Sequence, residues 1–200
     1  FQFGVSGFFI YRLSGSNLTK PDSLTNAANR YEIGLFDMDN AGSYTDLDRL
    51  EELFLRYRPG KSVITLGKQM LNTPFINKQD GRMRPTLEEW IWINFNEIRN
   101  ISIDAGWLYG MSPRSTVKWY LVAQSVGIYP LGKDVNGNPS GYQGNISTRG
   151  IGLLHVAANP WKPVQVNIWN TFADNMFNTL LIQTDWEIRL KRGISWKSGL

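Results

Sequence analysis

The chain has 200 residues, of which 42% are hydrophobic, 13% aromatic and 19% charged, so it is too apolar to be a disordered segment. It contains no cysteine and one histidine, His155, which excludes disulfides and thiolate sites and argues against a histidine-rich metal site or a catalytic triad. The net charge of +4 comes without a run of lysine or arginine, so nucleic acid is not an expected partner. No stretch approaches about 18 consecutive apolar residues, which excludes a transmembrane helix.

Apolar and polar residues alternate with a period of two along most of the chain, a pattern that predicts β-strands. In Thr179–Leu190, for example, Leu180 and Ile182 share one face, and Gln183 and Asp185 share the other. We therefore predict an all-β protein of about ten strands, and the two terminal strands look cut short, as in a fragment of a longer protein. In chain order the predicted strands are Phe1–Leu13, Arg30–Met38, Asp48–Arg58, Lys61–Gln69, Thr86–Asn96, Ile101–Tyr109, Gly150–Asn159, Val164–Ile168, Thr179–Leu190 and the residues from Ile194 onward.

Tight and long connections alternate between most of these strands, which in an up-and-down meander collects the long loops at one end. The segment Ser14–Asn29 breaks this rhythm. The tight connections are Pro59-Gly60, Glu97–Asn100, Asn159–Lys162 and Lys191–Gly193, and the long ones are Asp39–Leu47, Met70–Pro85, Met111–Arg149 and Ala173–Asn178. Within the longest connection, residues 111–149, Ser112-Pro113 and the later Gly127 predict a short helix with a serine N-cap.

Two architectures fit this alternation. A soluble β-sandwich or small barrel buries its apolar face, whereas an outer-membrane barrel turns that face to lipid and lines a lumen with polar residues. Three features favour the membrane barrel. Strands of about ten residues match an apolar band about 25 Å tall, the long loops lie at one end, and aromatic residues such as Tyr11, Trp107 and Trp161 recur near strand ends.

The sequence also resembles a known family. Residues 67–85, GKQMLNTPFINKQDGRMRP, are similar to the strand and inward-folding loop of OprD-type outer-membrane porins, in which a Thr-Pro loop is followed by an arginine-containing return. The layout of Leu53–Trp107 is similar as well, and the resemblance is best over residues 48–125. It implies an antiparallel up-and-down transmembrane β-barrel of 18 strands, with residues 1–200 supplying about half of a single barrel domain.

The loop at 70–85 is the predicted constriction of the pore. It carries four charged residues, Lys78, Asp80, Arg82 and Arg84. Inside a lumen these charges would act where low-dielectric walls focus the field, and guanidinium groups suit carboxylates. The resemblance implies a basic ladder that guides carboxylate-bearing solutes, with Arg82 and Arg84 in the matching region. A solvated surface loop with ordinary charges is the alternative.

Strand parity predicts further charges on the lumen face. Arg56 and Arg58 alternate with Leu55 and Tyr57, so they are predicted to point inward beside the loop charges. Opposed acids and bases across a pore would orient dipolar solutes, or they would simply pair within the wall. The other predicted inward charges are Asp104, Asp185, Glu187, Arg189 and Lys197.

Catalytic and metal sites receive little support. Glu88 and Glu89 adjoin Trp90 and would suit a glycosidase, but neighbouring strand residues point to opposite faces and cannot converge on one bond. The segment Asp134–Pro139 resembles half of a calcium loop, yet proline stands where glycine is needed and a turn explains it better. We expect His155 to lie on the wall without a ligand role, and no enzyme activity, metal or cofactor is predicted.

The sequence therefore predicts a bacterial outer-membrane porin for small polar solutes, carboxylate-bearing ones among them. Its expected partners are those solutes and outer-membrane lipids, with the channel a monomer or a homotrimer. The alternative is a soluble β-sandwich that binds carbohydrate. Exposure of Trp107, Trp186, Ile188 and Leu190 distinguishes the two, because a sandwich would bury them.

Overall fold

The computed structural model describes residues 1–11, 13, 20–26, 47–76, 85–114, 116–128, 134–189 and 195–199. Within these ranges the chain forms ten β-strands and one single-turn α-helix. The elements are β1 Gln2–Ile10, β2 Leu47–Tyr57, β3 Val63–Gln69, β4 Leu87–Phe95, β5 Ile101–Ser112, β6 Tyr120–Leu121, α1 Val122–Ser125, β7 Ile151–Trp161, β8 Val164–Ala173, β9 Phe177–Arg189 and β10 Ser195–Gly199. No helix among the described residues has the length and apolarity needed to cross a membrane.

All ten described strands belong to one sheet in the order β1-β2-β3-β4-β5-β7-β8-β9-β10, with the two-residue β6 paired to β5. Every pair of neighbours is antiparallel. Chain order and sheet order agree apart from β6, which confirms the predicted up-and-down meander.

One surface of the sheet, which we call the outer face, is apolar and uncovered. Leu55, Leu66, Ile91 and Trp107 are cross-strand neighbours in one row over β2 to β5, and they are 47, 47, 45 and 37% exposed. No second sheet covers this row within the described part of the chain. The β-sandwich alternative is therefore wrong, because it requires this face to be buried. Ile188 and Leu190, two of the residues chosen to distinguish the architectures, have side chains outside the described part.

The opposite surface, the inner face, carries both polar residues and a buried apolar cluster. The cluster consists of Leu71, Trp90, Trp92, Leu108, Val122 and Leu153. The outer face agrees with the expectation for a membrane barrel, but the inner face is less uniformly polar than expected. The physical reason is that two segments outside the long strands, one containing Leu71 and the other containing Val122 of α1, fold onto this face and bury its tryptophans.

Strands β1 and β2 are distant in sequence but are neighbours in the sheet. The two strands pair directly and antiparallel, from Gln2 with Arg56 to Ile10 with Leu47. The strand predicted at Arg30–Met38 lies outside the described residues. The segment Ser14–Asn29 is described only at residues 20–26.

The helix in the longest connection was predicted too long and too early. Ser112 is the last residue of β5, and α1 covers only Val122–Ser125. Residues 120 and 121 pair with Met111 and Gly110 as β6, so this part of the chain is extended where the helix was expected. The Ser112 hydroxyl donates to the carbonyl of Lys118 at 2.8 Å and so bonds a residue six positions on rather than capping a helix.

Two other connections are shorter than predicted. Only residues 174–176 separate β8 from β9, where Ala173–Asn178 was expected to be long, and Asn175 takes a positive φ of 58° in this turn. Strand β7 continues to Trp161, so its link to β8 is two residues. The turns at Pro59-Gly60 and Glu97–Asn100 are confirmed as short links. The predicted turn Lys191–Gly193 lies outside the described residues.

Candidate functional site

The six predicted site residues divide into two groups. Four of them, Lys78, Asp80, Arg82 and Arg84, lie outside the described residues. Arg56 lies on the inner face of β2, opposite Thr65 of β3 in the register. Arg58 follows the end of β2 and is exposed, near the tight-turn end of the sheet.

Arg56 is held in one orientation by its neighbours. Its Nε donates to the hydroxyl of Thr65 at 3.2 Å, and its two terminal nitrogens donate to the amide oxygens of Gln2 and Gln69, each at 3.3 Å. Its guanidinium carbon also lies 4.8 Å from the ring centroid of Phe54. Every partner is uncharged, so the positive charge of Arg56 is fixed in place but not neutralised by them.

Glycines on both sides of Phe54 make this geometry possible. Phe54 pairs with Gly4 of β1 and Gly67 of β3, and its ring lies over Gly4, which carries no side chain. A Cβ added to Gly4 would lie 2.3 Å from the ring, and one added to Gly67 would lie 2.1 Å from the carbonyl oxygen of Leu53. The φ of +120° at Gly67 also disfavours any other residue.

The first residues of the predicted constriction loop lie against the inner face. Leu71 is 6% exposed and belongs to the cluster with Trp90 and Trp92, and Ile76 packs against the same cluster. Between them, the Thr73 hydroxyl accepts the amide of Ile76 at 2.8 Å and donates to its carbonyl at 3.1 Å, which closes a compact turn. The described start of this connection thus covers the sheet rather than extending from its rim.

A row of polar residues crosses four strands of the inner face, between the apolar cluster and the tight-turn end of the sheet. Asn94 donates to one oxygen of Asp104 at 2.6 Å, and Nδ1 of His155 lies 2.8 Å from the other. The His155 ring stacks on Trp169 with centroids 3.8 Å apart and an angle of 10° between the rings. Asp104 therefore faces inward as predicted, and it is paired within the wall. The described residues contain no group of three or more His, Cys, Asp and Glu side chains able to hold a metal.

The tight-turn end of the inner face carries a second set of charges. Asp185 accepts two bonds from the amide of Gln183, at 2.9 and 3.1 Å, and Lys197 lies 3.8 Å from Glu187. A cavity of about 1180 Å³ opens beside them. The predicted inward direction of these three charges is consistent with the cross-strand pairing of Lys197 with Glu187. The side chain of Arg189 lies outside the described part.

The rejected catalytic and calcium sites have structural roles. Glu88 is fully buried on the inner face, whereas Glu89 forms an ion pair with Lys68 at 2.6 Å on the outer face, so the two carboxylates do diverge. Asp134 accepts the backbone amides of Asn136 and Asn138, each at 2.9 Å. These bonds, the one from Asn138 foremost, lower the pKa of Asp134 and form a turn.

Sequence reasoning missed the buried charges near the long-loop end of the sheet. Arg49 is 2% exposed, and its Nε and Nη2 bind both oxygens of Glu51, at 2.5 and 3.0 Å. Its remaining donors bind Ser112 at the end of β5 and the carbonyls of Thr116 and Pro85, which lie in two connections. Alternation could not reveal this, because a bulge opposite Ser6 and Gly7 changes the parity of β2 at this point.

Comparison with known proteins identifies relatives of this arrangement. The family model for outer membrane porins of the OprD family matches residues 3–200. Among solved structures, OccAB1 of Acinetobacter baumannii is similar with a TM-score of 0.66 and 14% identity, over 98% of this chain and 40% of that one. OccK9 (OpdG) of Pseudomonas aeruginosa gives 0.64 and 16%, over 92% and 41%.

A third solved structure, OpdK of Pseudomonas aeruginosa with vanillate, gives a TM-score of 0.63 and 12% identity, over 92% of this chain and 41% of that one. The chain thus spans about 40% of the length of these porins. No curated protein is similar enough in sequence to count as a relative.

Proposed function

We propose that this chain, which belongs to the OprD family of outer-membrane porins, forms part of the wall of a water-filled channel for small polar solutes, including carboxylate-bearing ones. The observation that carries the proposal is the division of one sheet into an uncovered apolar face and an inner face with fixed charges. Lipid would contact the first and diffusing solutes the second. Passage needs no chemical step, because width and charge alone select the solute.

The preference for carboxylates is supported by Arg56. Its guanidinium is already oriented by Gln2, Thr65 and Gln69. Binding of a carboxylate would therefore cost little conformational entropy of the Arg56 side chain. OpdK, a structural relative, was crystallised with vanillate, an aromatic carboxylate. In our proposal the charges of residues 70–85 act together with Arg56, and Arg58 contributes at the channel mouth.

The acidic residues of β9 complement this arrangement. Arg56 on β2 and Asp185 on β9 are separated by six strand spacings, about 29 Å along the sheet at about 4.8 Å each. A curved wall would turn these two charges toward each other across the lumen. Opposite charges on opposite walls would orient a solute that carries both a carboxylate and a positive group.

The constriction is tested by removing its arginines. The double substitution Arg82→Ala and Arg84→Ala in the purified full-length protein is expected to lower anion preference, measured as a reversal potential in planar bilayers. The effect should shrink as salt rises, since screening shortens to about 8 Å at 0.15 M. Arg99→Ala, an exposed arginine in the tight turn after β4, is the matched control for loss of a positive charge. Unchanged selectivity at low salt, with normal conductance, would contradict the proposed role of residues 70–85.

A further inference from the structure

Two buried residues with ionisable side chains lie where the connection between β3 and β4 leaves and rejoins the sheet. Arg49 on β2 is 2% exposed and Glu88 on β4 is 0% exposed. Charged side chains are rarely buried to this extent, because removal from water is costly unless partners replace the lost hydrogen bonds. Their partners therefore indicate what the burial is for.

Glu88 binds the start of the connection. One oxygen of its carboxyl group accepts the backbone N–H of Leu71, two residues after the end of β3, at 2.8 Å. The other oxygen has no hydrogen-bond partner in the described part of the chain. Leu71 itself packs against Trp90 and Leu108, so one hydrogen bond and one apolar contact fix the same residue.

Arg49 binds the end of the connection. Its Nη2 donates to the carbonyl of Pro85, two residues before β4, at 2.9 Å. Its Nη1 donates to the carbonyl of Thr116 at 3.2 Å and to the hydroxyl of Ser112 at 3.3 Å. Together with the two bonds to Glu51, all five guanidinium donors are used. A lysine could keep the charge here, but its three donors could not reach the same set of acceptors.

We propose that Glu88 and Arg49 are positioning residues that fix the two ends of the β3–β4 connection against the inner face and thereby set the ionic selectivity of the channel. The inference rests on the proposed function, since selectivity is expected to depend on the charges that this connection carries. The anchoring itself is a separate claim with its own measurement. Each anchor ties a backbone group of the connection to a side chain of a strand, so loss of either one frees that end.

The absence of cysteine allows a direct test of anchoring. A nitroxide attached through Phe75→Cys, at a 42% exposed position in the turn after Leu71, reports the mobility of this segment by electron paramagnetic resonance. Glu88→Leu removes the acceptor and should raise label mobility at least twofold. Glu88→Gln keeps an oxygen acceptor of the same shape and should leave mobility near that of the parent. A label at Val135→Cys, which is fully exposed in another connection, should not respond to either change.

Channel recordings of the same variants provide the functional readout. Glu88→Leu and Arg49→Lys should each lower the anion-to-cation permeability ratio at least twofold and increase open-channel noise, while Glu88→Gln restores parent values. Heat-modifiable gel migration verifies that each barrel is folded. Unchanged mobility at residue 75 in folded Glu88→Leu would overturn the inference, even where Arg82→Ala with Arg84→Ala alters selectivity. A rise in mobility without any selectivity effect of that arginine pair would instead support the anchoring and contradict the constriction.

If a variant does not fold, hydrogen exchange in the parent protein still tests the anchoring. Because the amide of Leu71 donates to Glu88, we expect it to exchange slowly with solvent. Nuclear magnetic resonance measures this exchange rate. Exchange there as fast as at Val135 would overturn the inference, and protection comparable to strand amides of β3 would support it.

Discussion

Replacing Ile182 by arginine tests which face of the sheet meets lipid. Ile182 lies on the outer face of β9, is 58% exposed and pairs with Ile168 of β8. It is five residues from Phe177 and seven from Arg189, the ends of the strand. With a rise of about 3.3 Å per residue and a tilt of about 40°, these separations give heights of roughly 13 and 18 Å. Ile182 therefore lies near the middle of an apolar band about 25 Å tall.

Arginine near the bilayer midplane costs about 2–4 kcal/mol. At about 1.4 kcal/mol per tenfold, Ile182→Arg should lower the folding equilibrium constant by roughly 30- to 700-fold. Gln183→Arg is the matched control one residue along, on the inner face. Gln183 already donates to both oxygens of Asp185, so a guanidinium at this position would keep a carboxylate partner. Its effect should stay within about 1 kcal/mol.

Denaturant unfolding in lipid vesicles, followed by tryptophan fluorescence and by heat-modifiable gel migration, measures both changes. Equal losses for the two variants, or a larger loss for Gln183→Arg, would refute the assignment of the outer face to lipid.

Two further outcomes follow from local geometry. Gly67→Ala should prevent normal pairing of β2 with β3, because its Cβ would meet the Leu53 carbonyl oxygen at 2.1 Å. Gly137→Ala is the control, since this glycine also has a positive φ but lies in open space. It should lower stability by only about 1 kcal/mol in the same unfolding assay. Hydrogen bonds, the one from the Ser62 hydroxyl foremost, lower the pKa of Glu97. The stabilisation from these bonds is therefore fully present above the ordinary carboxyl pKa and is lost as the pH falls through the lowered value. Glu97→Gln should remove that part of the acid dependence of unfolding, and an unchanged acid profile would contradict the assignment.

Strand positions were predictable because every long strand separates two different environments. The predicted Thr179–Leu190 became Phe177–Arg189, and Lys61–Gln69 became Val63–Gln69, each within two residues at either end. A face that meets apolar surroundings and one that meets polar groups impose a period of two, which the sequence records directly.

Pairing and connections were less predictable, since they depend on contacts distant in sequence. The pairing of β1 with β2, from Gln2 with Arg56 to Ile10 with Leu47, joins residues that are far apart along the chain. Ser112-Pro113 has the residues of a helix start, but Ser112 is bonded to Arg49 and Lys118 instead. Local patterns propose an element, and tertiary partners decide whether it forms.

Only part of the candidate site could be predicted, because the rest depends on contacts that are distant in sequence. Arg56 lies on the expected face, because parity alone fixes its direction. The buried apolar cluster was missed, although β4 carries a signal for it. In LEEWIWINF, Trp90 and Trp92 alternate with Ile91 and Ile93, so apolar residues occupy both faces. A strand that is apolar on both sides predicts cover on both sides, here lipid on one and protein on the other.

That cover links the packing of the molecule to its proposed function. The tryptophans of β4 would be unfavourable in a water-filled lumen, and burial under Leu71, Ile76 and Val122 removes them from water. The same contact adds a layer of protein to one side of the wall. In the proposed channel this layer would narrow the lumen at the cluster, whereas Asp185 and Glu187 at the tight-turn end border an open cavity. Field focusing increases as the lumen narrows, so a charge beside the cluster should influence a passing ion more than the same charge at the mouth.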